Sequence, residues 1–158
     1  MGVTARDDEA VSKFIERFAL MLAEGGMPRM PARVFVGLLA SEEGQLTAGE
    51  LAESLSVSPA AVSGAVRYLT QVHLIVRERE PGSKRDHFRV RGGTWYESAM
   101  DRERLLTLWS EALADGVAAV GKDTAAGVRL RESVEFFDFL RVEIPLVLDR
   151  WRSRNATS

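Results

Sequence analysis

The pair Ser58-Pro59 constrains this chain more than any other two residues. A serine hydroxyl satisfies N–H groups orphaned at a helix start, and proline fits the first helical position, where it has no hydrogen bond to lose. A helix therefore begins there. Upstream, Thr47 and Glu50 are spaced as a capping box, in which each side chain accepts from the other residue's backbone N–H. That predicts a helix over about 48–55. Only Ser56-Val57-Ser58 separates the two, so they must turn sharply against each other. The second buries Val62, Ala65, Val66 and Leu69, leaving Ala60, Ala61, Ser63, Gly64 and Arg67 on opposite or flanking faces.

Periodicity places the other elements around this pair. Val11, Phe14, Ile15, Phe18, Ala19 and Leu22 predict an amphipathic helix over 8–24, stopped by Gly25-Gly26. Pro28 and Pro31 delimit a connector, and Val34, Phe35, Leu38 and Leu39 mark a short helix ending near Ser41. Gln45-Leu46 reads as a brief strand. From Leu74 to Arg79 and from His87 to Arg91 apolar and charged residues alternate around the turn Pro81-Gly82-Ser83-Lys84, which predicts a β-hairpin with a basic tip. After Gly92-Gly93, one long helix is expected over 94–121. A last helix starts near Asp123; Leu130, Val134, Phe137, Ile144, Leu148 and Trp151 form a near-heptad seam interrupted by Arg141, and Pro145 should kink or divide it.

Composition removes whole classes of chemistry. A chain of 158 residues suits one domain or a compact pair of sub-domains. No apolar run approaches the roughly 18 residues of a membrane span, and Met1 to Asp8 carries no signal-peptide pattern, so a cytoplasmic protein with no membrane partner is expected. There are no cysteines, and only His73 and His87 as histidines, distant from any second ligand pattern. No metal site, cofactor or catalytic residue is therefore expected.

Charge points to a partner instead. The net charge is −2, yet from Ser58 to Arg91 seven bases face three acids, +4, while the remainder carries −6. A basic patch on an acidic body steers polyanions to one face. Helix, tight turn, helix, hairpin is also the order of a winged helix-turn-helix, whose second helix enters the major groove of DNA while the hairpin lies over adjacent phosphates or the minor groove. Small residues from Ser58 to Gly64 would let the backbone approach, Arg67 would reach a guanine edge or the backbone, and Ser83, Lys84 and Arg85 stand at the hairpin tip.

The stretch LTAGELAESLSVSPAAVSGAVRYLTQVHLIVRERE, Leu46 to Glu80, with PGSKRDHFRV, Pro81 to Val90, resembles MarR-type regulators, and in particular their GbsR-like branch. The resemblance implies a mainly α fold with a small β-hairpin wing, a winged helix-turn-helix with N- and C-terminal dimerisation helices. Its divisions would be a dimerisation helix over 1–30, a DNA-binding domain over 31–93 and a helical dimerisation region over 94–158. It implies a homodimeric transcription factor, a repressor, on double-stranded DNA with an inverted repeat. Contacts would fall at Ser58, Pro59, Ala60, Ser63, Gly64 and Arg67, with wing contacts at Lys84 and Arg85. The dimer interface would involve Phe14, Phe18, Phe137, Ile144, Leu148 and Trp151. Two departures stand out: His73 replaces a common Gly, and the usual Asp-x-Arg of the wing is absent, GSKRD standing in its place.

Other signals are weaker. Gly116, Gly121 and Lys122 imitate a phosphate-binding loop, but Asp123 replaces the Mg²⁺-holding Ser/Thr and no strand precedes them, so Gly121 reads as a helix stop and Asp123 as the next N-cap. Glu132, Glu135 and Asp138 interleave with Arg129, Arg131 and Arg141, an ion-paired face rather than an enzyme centre. Trp95, Tyr96, Trp109, Phe136 and Phe137 are candidates to box a small cationic or apolar effector. The rival to a DNA reader is a winged-helix module that docks another protein.

Overall fold

The computed structural model describes residues 5–92, 95–100 and 102–156. The expected boundary residues Gly93 and Thr94, and the first four residues of the N-terminal stretch, lie outside the described residues. The described residues are about 70% helical, with one small antiparallel sheet. In chain order the elements are α1 (Asp8–Glu24), α2 (Arg29–Leu39), β1 (Gln45–Thr47), α3 (Ala48–Leu55), α4 (Pro59–Gln71), β2 (Ile75–Arg79), β3 (Asp86–Val90), α5 (Trp95–Met100), α6 (Glu103–Val120) and α7 (Ala125–Asn155). The chain divides into two units, one ending at Trp95 and one beginning at Tyr96.

In the first unit α2 is the central rod. Ala32, Val34, Phe35, Val36 and Leu38 are all at most 1% exposed, covered by Leu51 and Leu55 of α3, Val62, Ala65 and Leu69 of α4, Ile75 and Phe88 of the sheet, and Ala19 of α1. It starts earlier than the two prolines suggest. Pro28 caps it and Pro31 sits in its first turn, where backbone N–H groups have no intrahelical partner and a proline costs nothing. Glu16 and Arg33 bridge α1 to α2 at 2.7 Å, and Arg33 also donates to the Leu55 carbonyl. Both caps around the turn form as expected. Thr47 and Glu50 make the reciprocal box, and Ser58 Oγ accepts from the Ala61 N–H. The brief strand β1 joins the hairpin as an outer strand, in the order β1-β3-β2.

The second unit is a helix pair, α6 on α7, preceded by most of α5. The single long helix expected over 94–121 is two, because Arg102 leaves the helical region at φ −114, ψ 23. Leu105 follows Met100 by five positions, which puts them on different faces and breaks the apolar stripe there. Gly121 stops α6 at φ 90 as expected. The cap of α7 is Thr124 rather than Asp123; its hydroxyl accepts from the Gly127 N–H. Gly127 is required, since a Cβ would collide with the Gly121 carbonyl. Pro145 does not divide α7, which runs for 31 residues through it.

The seam of α7 faces α6. Phe137 packs edge-on against Trp109, and Leu140, Ile144 and Leu148 line a cavity of about 180 Å³ with Leu106. Arg141 lies in the same row, half-buried, with its Nη1 3.3 Å from Asp138 and its Nε without a partner among the described residues. Asp138, exposed and ion-paired with Arg141 as expected, also accepts from the buried Ser110 at 2.6 Å, which ties that face to the helix contact. A second apolar row, Phe136, Phe139, Val142, Leu146 and Val147, is between 48% and 62% exposed.

Candidate nucleic-acid interface

Helix α4 exists because Ser58 caps it, Pro59 starts it and four apolar residues pin one side to the core. What remains outside is a stripe at spacings of three and four: Ala60, Ser63, Gly64 and Arg67, all exposed, beside exposed Ser58 and Pro59. Gly64 is the informative member. It has a helical φ, and nothing lies within 4 Å of where its Cβ would stand, so neither backbone conformation nor internal packing asks for glycine. The bare backbone there is available to an outside surface.

The hairpin brings a second set of groups alongside. Gly82 takes φ 83 at the tip, and Ser83 Oγ accepts from the Arg85 N–H at 3.2 Å, fixing the turn from which Lys84 and Arg85 project. A groove of about 880 Å³ lies between α3, α4 and the wing, lined among others by Glu53, Ser63, Arg67, Thr70, Arg77, Arg85 and Asp86. Residues of α3, α4 and the hairpin thus share one groove of the first unit.

Not every base of this patch is free. Asp86, only 16% exposed, accepts from Arg77 and, at 2.9 Å, from Arg79. Bonding by Arg77 first, then Arg79, holds its carboxyl below the ordinary carboxylate range. Glu78 likewise takes Arg89. Arg67, Lys84 and Arg85 form no ion pair among the described residues. The pairing was not read from the sequence, because it follows from the β2–β3 register, in which Arg79 faces Asp86 directly and Arg77 lies on its diagonal. His73 adopts the left-handed conformation, φ 60, so the turn usually given to glycine is made here by histidine.

The other expected residues scatter among several contacts. Trp95 packs edge-on against Phe35 in the first unit, and Tyr96 against Trp151 in the second. Trp109, Phe136 and Phe137 do come together, as two edge-to-face pairs sharing Phe137. Of the expected dimer residues, Phe14 is 46% exposed and stacks on the half-buried Phe18, while Phe137, Ile144 and Leu148 lie against α6. The exposed row of α7 was not anticipated.

Two family models match consecutive stretches: one described as MarR family over residues 25–86, and one described as MmpR5-like MarR family transcriptional regulator over 93–154. Both descriptions place the matched stretches in the MarR family. A crystal structure of a transcriptional regulator shares this fold at TM-score 0.78 and 23% identity, covering 91% of this chain and 99% of its own. MepR, a transcription regulator of the Staphylococcus aureus multidrug efflux pump MepA, is similar at 16% identity over 94% of this chain and 87% of that one, TM-score 0.40. Sco5413, a MarR family transcriptional regulator from Streptomyces coelicolor, gives 19% identity over 89% and 87%, TM-score 0.40. No curated protein matches the sequence. No helix among the described residues is long and apolar enough to cross a membrane.

Proposed function

We propose that this MarR-family protein is a homodimeric regulator that reads an inverted repeat in double-stranded DNA and represses the genes beside it. The observation that carries the reading is the exposed, small-residue stripe of α4 flanked by three unpaired cations, Arg67, Lys84 and Arg85. The major groove admits an α-helix, short outward side chains let its backbone approach the bases closely, and cations at its rim bind phosphates. In this reading Ser58, Pro59, Ala60, Ser63 and Gly64 abut the groove, Arg67 reaches a base edge or the backbone, and Ser83, Lys84 and Arg85 hold the flanking strand. Dimerisation is supported by the second apolar row of α7, five large apolar side chains at least 48% exposed that a partner would cover. A twofold pair would set two reading helices about one DNA turn apart. The wing sequence supports the GbsR-like branch, and the Trp109, Phe136 and Phe137 cluster supports a small ligand that favours one spacing of the reading heads.

Selection of bound fragments from random duplexes tests this directly. A recovered palindrome, bound with an affinity that falls steeply with salt, is the expected result. Weak, salt-insensitive retention of duplexes would favour the protein-docking module.

A further inference from the structure

The wing pairs its densest cluster of charge internally. Arg77 and Arg79 both donate to one carboxylate, Asp86, which is mostly buried beneath them, and Arg77 and Asp86 line the same groove as Arg67 and Arg85. A carboxylate in that position acts twice on a passing phosphate. It takes three N–H bonds from two guanidiniums, and it adds a negative charge to the groove that Arg67 and Arg85 also line. Bidentate and charge-assisted contacts of this kind are not exchanged for exposed phosphate contacts without loss, because the Asp86 pairing is pre-formed and costs no further ordering.

We propose that Asp86 is an internal competitor for the DNA backbone: it withholds Arg77 and Arg79 from phosphates and so sets the sequence-independent share of affinity. This rests on the DNA-reading assignment above and concerns its strength rather than its target. The pairing leaves contact with bases to α4, while the two withheld arginines would otherwise strengthen binding to any duplex at hand. A reader that must leave non-specific sites quickly benefits from such a limit.

The test is the full-length Asp86→Asn protein, titrated onto an unrelated duplex between 50 and 200 mM salt. Each arginine that gains a phosphate adds about 0.9 to the slope of log affinity against log salt. Two freed arginines in each of two wings add up to about 3.6, so the variant gains roughly two decades of affinity over the parent on going from 200 to 50 mM. Adding Arg77→Gln and Arg79→Gln to Asp86→Asn should return the slope to the parental value. If Asp86→Asn leaves the slope unchanged, the arginines already reach phosphates in the parent and the proposal is wrong. Weaker binding by Asp86→Asn, restored by Asp86→Glu, would show that the carboxylate only braces the wing, and also overturns it. Failure of the parent itself to bind duplex with a salt dependence would instead defeat the underlying assignment.

Discussion

Substituting Lys84 by alanine isolates one free cation of the wing. Lys84 is exposed at the tip, projects from a turn held by Ser83 and has no ion pair among the described residues, so it contributes to no internal contact that its loss would disturb. One lost phosphate contact per wing, two per dimer, should reduce the salt slope by about 1.8. Over a fourfold range of salt that is a difference of roughly twelvefold in how much affinity is lost. Fluorescence anisotropy on the selected operator and on an unrelated duplex, each at several salt concentrations, measures both slopes. The change should be the same on both, because a phosphate contact carries no sequence information. Arg89→Ala is the matched control, since Arg89 is already held by Glu78 and should leave the slope nearly intact. Equal flattening by the two substitutions would show that ion pairing does not decide which wing cations meet DNA.

Gly64→Ala should stabilise the fold by about 0.5–1 kcal/mol in urea titration, as an exposed helical glycine with open space around it, while weakening operator binding; unchanged binding would remove Gly64 from the interface. Because Arg77 and Arg79 lower the Asp86 pKa, the stability drawn from this pairing is fully present above the ordinary carboxylate range and disappears as pH falls through the lowered value. The stability gap between parent and Asp86→Asn should therefore close under acid, and a gap independent of pH would contradict the pairing. Arg141→Leu should complete the α6–α7 seam and raise stability by about 1 kcal/mol, since a half-buried, incompletely bonded guanidinium gives way to an apolar side chain while Asp138 keeps Ser110. A clear fall in the melting midpoint would mean that the Asp138 pair outweighs the packing.

The sequence by itself determined whatever is settled within one turn of helix or across one tight loop. Thr47 with Glu50, Ser58 with Pro59, and Gly121 after Val120 each satisfy or end a backbone ladder using neighbours at most three or four residues away, so their structures could be read directly. The alternation on either side of Pro81-Gly82 specified the hairpin in the same way. Tertiary structure decided matters in which several distant partners compete. Helix α7 has apolar residues on two sides, and only the packing of α6 determines that Ile144 and Leu148 turn inward while Phe139 and Val142 remain exposed. Seven bases between Ser58 and Arg91 look equivalent along the chain, yet strand register delivers Arg77 and Arg79 to Asp86 and leaves Lys84 and Arg85 to solvent. Charge and hydrophobicity act through space, and distance in space is what a linear sequence does not contain.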